Sequence, residues 1–63
     1  MFFTFNATTG NGAVMGEGWN TRYVGFSSGL EAWAAVNRDG FALAPATELV
    51  VNGDRWTAKV VRG

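Results

Sequence analysis

The feature that most constrains this chain is one short helix whose start and stop can both be read from local chemistry, between residues 28 and 41. Ser28 is a good N-cap. Glu31, three residues on, can reach back to the Ser28 amide in a capping box that satisfies two donors the helix itself leaves orphaned. Leu30, Trp33 and Ala34, with Val36 at the margin, follow the i, i+3, i+4 spacing of a buried face. At the other end Gly40 suits the left-handed position after Asp39, and Phe41 can fold back on Val36, the contact that accompanies a Schellman cap. The helix so delimited runs about ten residues. A helix that short is held mainly by the surface it covers, so the flanking segments must supply that surface.

Those segments read as strands. Phe2 to Thr8 is rich in aromatic and β-branched residues and ends at Thr9-Gly10-Asn11-Gly12, a turn. Phe3, Phe5 and Ala7 share one of its faces; Phe2, Thr4 and Asn6 share the other, and Phe2 there suggests a second contact surface. Ala13 to Phe26 is a further extended region interrupted by Gly16 and Gly18. One long bent strand is the preferred reading, with two short strands meeting at the glycines as the other. After the helix, Phe41 to Ala44 reads as a short strand, Pro45 as an edge or kink, and Thr47 to Val51 as a resumed extended run. Asn52-Gly53 is the preferred sequence of a two-residue type I′ hairpin. With Val51 opposite Asp54, Leu49 faces Trp56 and Thr47 faces Ala58, and Glu48, Val50, Arg55, Thr57 and Lys59 take the other face. A three-residue turn with a bulge at Gly53 would flip part of that assignment.

The expected product is a single small α+β domain over residues 1–63, of ββαββ type, in which an antiparallel sheet of about four strands carries the helix on one face. Trp33, Leu30, Trp56, Leu49 and Phe5 are its expected core. With 48% hydrophobic residues, three Trp and five Phe, the chain lies far from a disordered composition. So many large apolar side chains in so small a domain, with no disulfide to staple it, also point to burial between subunits, and a homo-oligomer is expected.

Charge and reactive groups narrow the function. Five Lys plus Arg balance five Asp plus Glu, which argues against nucleic acid as a partner. The absence of Cys removes disulfides and thiolate metal sites and suits a reducing compartment. Met1-Phe2-Phe3-Thr4-Phe5 has no basic region of a leader, and no run approaches a membrane span, so the cytoplasm is the expected compartment. With neither His nor Cys, acid–base work would fall to five carboxylates. Glu31, Asp39 and Asp54 have duties at the cap, the helix end and the hairpin. Only Glu17 and Glu48 stay unassigned, so the chain is read as non-enzymatic, without cofactor or metal. The glycines between Gly10 and Gly18 do not match a phosphate loop, because the spacing differs and no helix follows. They are read as turns, or as a loop closing on a ligand with Asn11, Glu17 and Asn20 as its polar groups.

Trp19, Arg22 and Tyr23 form the candidate binding constellation: aromatic rings beside a guanidinium can stack on a planar ligand, hold an anion, or anchor a protein interface. Arg55, Lys59 and Arg62 could form a basic stripe beside Trp56, but read better as a solvated sheet face. The leading expectation is therefore a small, non-enzymatic, homo-oligomeric interaction protein, an accessory or inhibitory factor that binds a macromolecular partner, such as a protein, and modulates or blocks it. A second is sequestration of a small planar anionic ligand in a pocket between subunits. A third is a structural subunit that adds edge to edge through the Pro45-containing or terminal strand.

Overall fold

A computed structural model describes residues 1–62, apart from the side chain of Trp19. Its elements are β1 (Phe2–Asn6), β2 (Asn11–Gly16), β3 (Trp19–Tyr23), α1 (Gly29–Arg38), β4 (Phe41–Leu43), β5 (Val50–Asn52) and β6 (Arg55–Arg62). The fold is α+β, as expected, but the sheet has six strands rather than four. The order is β3-β2-β1-β6-β4, with β5 also on β6, and every pairing is antiparallel. β5 takes the Thr57 end of β6 and β4 the Val60 end, so two short strands share one border and β3 forms the other. The terminal strand β6 is interior, between β1 and the β4–β5 border, and Pro45 lies in the turn that joins those two border strands.

The preferred single bent strand over 13–26 is replaced by two strands. β2 and β3 form a hairpin in which Gly16 pairs with Trp19 across a Glu17-Gly18 turn. The last hairpin also closes one residue later than expected: Asn52 pairs with Arg55 and Val51 with Trp56. Positive φ falls on Gly53 (63°) and not on Asn52, the pattern of a type II′ turn rather than type I′. The displacement moves each partner by two positions, so the side chains keep the faces assigned from the sequence.

The helix has the expected bounds. Ser28 Oγ accepts from the Glu31 amide at 3.2 Å, although the reciprocal bond from the Ser28 amide to the Glu31 carboxylate is not made. At the C-terminus the Gly40 amide donates to Asn37 O at 3.1 Å, and Gly40 takes φ 96°. The buried face is rotated from the expected one. It consists of Gly29, Ala32, Ala35 and Val36, while Leu30 is 69% exposed and Ala34 is also outside. Small residues let the helix lie close on the sheet, and the sheet supplies the bulk: Phe3, Phe5, Val14, Tyr23, Phe41 and Val60 are buried beneath it. Trp33, Leu49 and Trp56 pack at the periphery of this cluster, with the Trp33 ring 5.2 Å from that of Phe3. Among the described residues no helix is long and apolar enough to cross a membrane.

Candidate functional site

The helix covers one face of the sheet and leaves the other bare. Strand alternation and register define what the bare face carries. On the central strand β1 it presents Phe2, Thr4 and Asn6. Across the Thr4 row lie Ala13, Arg22, Thr57 and Val50; across the Phe2 row, Met15, Asn20 and Lys59; across the Asn6 row, Asn11, Arg55 and Asn52. Phe2 is 54% and Val50 53% exposed, and the Lys59 ammonium stands 5.9 Å from the Phe2 ring centroid. Three of the five cations, Arg22, Arg55 and Lys59, thus lie on this face. None of the six strands contains a carboxylate.

Two hollows flank Thr57. One, of about 310 Å³, is mainly apolar and is lined by Phe2, Glu48, Val50, Thr57 and Lys59 among others. The other, of about 370 Å³, is more polar and is lined by Thr4, Asn6, Asn11, Arg55 and Thr57. The Asn6 carboxamide oxygen is already engaged, accepting from the amides of Thr8 at 2.8 Å and Thr9 at 3.3 Å, so Asn6 has its amide donors left for a ligand.

The expected constellation of Trp19, Arg22 and Tyr23 is not brought together. Tyr23 is buried on the helix-covered face, paired with Gly12, and its hydroxyl donates to Asp39 Oδ2 at 2.7 Å. Burial, the hydrogen bond to Asp39 and the Asp39 charge push its phenol up to about 12, against a partial opposing pull from Arg62 and Arg38. It is a structural clasp between β3 and the end of α1. Arg22 and Asn20 lie on the bare face, Glu17 is exposed in the β2–β3 turn, and the Trp19 side chain lies outside the described residues. Of the expected basic stripe, Arg55 and Lys59 share the bare face. Arg62 does not: its guanidinium stands 5.3 Å from the Phe41 ring, on the helix side.

Asp54 is confirmed in a turn and also ties two turns together. Its Oδ2 accepts from the Thr8 hydroxyl at 2.6 Å and its backbone oxygen from the Ala7 amide at 2.7 Å. Among the described residues no three carboxylates converge on a point that could hold a metal ion.

The sequence reading underrated Thr4, Thr57 and Val50 as site residues. The alternation of Phe2-Thr4-Asn6 and of Arg55-Thr57-Lys59 was visible in each strand alone. What was not visible is that β1 and β6, the two ends of the chain, pair side by side with Phe2 opposite Lys59 and Asn6 opposite Arg55. Comparison with protein-family models, curated proteins and solved structures finds no match.

Proposed function

We propose that this chain is a small non-enzymatic interaction protein that binds a macromolecular partner through the bare face of its sheet and thereby modulates or blocks that partner. One observation carries the reading: the face opposite the helix gathers Arg22, Arg55 and Lys59 with the exposed Phe2, with no carboxylate at any strand position. A merely solvated face would mix both signs of charge, whereas a binding face combines apolar contact area with charge that selects and steers the partner. Sequestration of a planar anion by Trp19, Arg22 and Tyr23 loses its support, because Tyr23 is committed to the core. Self-association and a cytoplasmic setting remain parts of the proposal; the exposed Leu30 on the helix and Val51 on β5 offer apolar area for a second copy away from the bare face.

A comparative pull-down tests the reading, using the wild type, an Arg55→Glu/Lys59→Glu variant and a Leu30→Lys variant, each checked for folding by circular dichroism. A partner retained by Leu30→Lys and lost by the double variant is the expected outcome. Loss with Leu30→Lys and retention with the double variant would move the binding surface to the helix side and end the proposal.

A further inference from the structure

Resting on that choice of surface, we infer that the partner class of the bare face is single-stranded nucleic acid. The zero net charge of the chain conceals a segregation that only the fold reveals. Arg55 and Lys59 are four residues apart on β6, about 14 Å, and Arg22 lies three strands away, about 14 Å across the sheet. This triangle of cations encloses Thr4, has Thr57 on its Arg55–Lys59 side, and has Phe2 beside its Lys59 corner. No carboxylate stands inside it; the one carboxylate of the apolar hollow is Glu48, which lines it with Phe2 and Lys59. Charge complementarity therefore calls for an anionic occupant whose charges are spaced over many ångströms rather than gathered at one point.

The uncharged groups choose among such occupants. An extended peptide adds to a sheet through backbone groups at an edge, and those groups are not presented on a face. A second copy would bring its own three cations into the interface, where charged side chains are depleted. A single strand fits both features of the face. Its bases stack on a half-exposed ring, as Phe2 offers on the central strand, and its phosphates follow separated cations. The polar hollow on the other side of Thr57 from Phe2 adds the Thr4 and Thr57 hydroxyls, the amides of Asn6 and Asn11 and the Arg55 guanidinium, groups that hydrogen-bond base edges or phosphate oxygens. A duplex would hide its bases from Phe2.

The test is fluorescence anisotropy with labelled mixed-sequence RNA and DNA single strands of about twelve nucleotides, within the usual span of such sites. The duplex of the same sequence and labelled polyglutamate serve as comparison ligands. Single strands are expected to bind most tightly. Log affinity should fall with log salt at a slope of about −2, at about −0.7 per neutralised phosphate. Arg55→Gln/Lys59→Gln should weaken binding at least about tenfold and flatten the slope by about 1.4. Phe2→Ala should cost about fivefold or more and leave the slope unchanged. Glu48→Gln should tighten binding. No binding of single strands at low salt, or equal binding of the duplex, overturns the inference. Equal binding of polyglutamate with no effect of Phe2→Ala also overturns it and assigns the face to an acidic protein. In each of these cases the pull-down still decides separately whether the bare face is the binding surface. Amide shifts induced by the oligonucleotide on α1 instead of β1 and β6 would remove both readings.

Discussion

Gly29 lies so close to the indole of Trp56 that a Cβ at this position would overlap its Cε2, Cδ2 and Cζ2 atoms. The first residue of the helix is thereby pressed onto the last strand of the sheet, a contact that joins the two layers of the fold where the helix begins. Two effects of opposite sign meet in a Gly29→Ala substitution. Alanine is better than glycine in a helix by about 1 kcal/mol, but inserting a methyl into a filled site costs about 1–3 kcal/mol. The ring is half-buried and packed against the core cluster, so the steric cost should prevail. Gly29→Ala is expected to lower the urea midpoint by the equivalent of about 1 kcal/mol; an unchanged or raised midpoint would mean that the Trp56 ring swings aside.

The same contact explains the rotation of the buried helix face, and two substitutions separate the alternatives. Leu30 is 69% exposed, so Leu30→Ala should change stability by no more than about 0.5 kcal/mol. Phe3 is 0% exposed at the centre of the sheet, so Phe3→Ala should cost about 3–5 kcal/mol, comparable to the whole stability of a domain this small. Chemical denaturation of both variants checks the pair. A large loss on Leu30→Ala would restore the face expected from spacing alone.

These two residues also mark what was legible in the sequence. The helix bounds, the Ser28 cap, the inward Phe5 and the faces of β6 rest on interactions within a few residues, and local chemistry was enough to find them. The helix face was misread because spacing rules weigh large apolar residues, whereas here the small ones, Gly29, Ala32 and Ala35, let the helix approach a sheet that already supplies the bulk. The turn at Gly53 slipped by one residue because Asn-Gly and Gly-Asp both make good two-residue loops, and the choice depends on where β6 is anchored by β1 and β4. The site was only half legible for a similar reason. Arg22, Asn20 and Asn11 were singled out and do lie on the bare face, but the strand that completes it arrives from the far end of the chain.

Tyr23 and Asp39 give a pH dependence whose sign follows from the burial of the phenol and its bond to Asp39. Burial, then the hydrogen bond the phenol donates to the Asp39 carboxylate and the charge of that carboxylate, favour the protonated form in the folded state, so its pKa rises from 10.0 to about 12. The stabilisation is fully present below pH 10 and is lost as pH rises through about 12. Because Tyr23 is the only tyrosine, its ionisation can be followed directly by ultraviolet difference absorbance. Ionisation near 10 in the folded protein would show that Tyr23 is neither buried nor bonded to Asp39. Tyr23→Phe should cost about 1 kcal/mol at neutral pH and remove this component of the alkaline loss of stability.

The turn between β4 and β5 holds a residue at odds with its backbone. The Thr47 amide donates to Ala44 O at 3.2 Å, closing a four-residue turn with Pro45 at its second position, and Ala46 at its third takes φ 62°. That is the arrangement of a type II turn, whose third position ordinarily belongs to glycine because a Cβ is strained there. The left-handed conformation costs an L-residue about 1–2 kcal/mol, while glycine adds back about 0.5–1 kcal/mol of unfolded-state entropy. Ala46→Gly should therefore raise stability by up to about 1 kcal/mol. The gain is expected in the denaturation midpoint with no change in m-value, since the turn lies away from the buried cluster and the surface exposed on unfolding stays the same. A loss of stability on Ala46→Gly would place Ala46 in an ordinary right-handed or extended conformation, and with it would go the type II assignment of the turn that sets β5 beside β6.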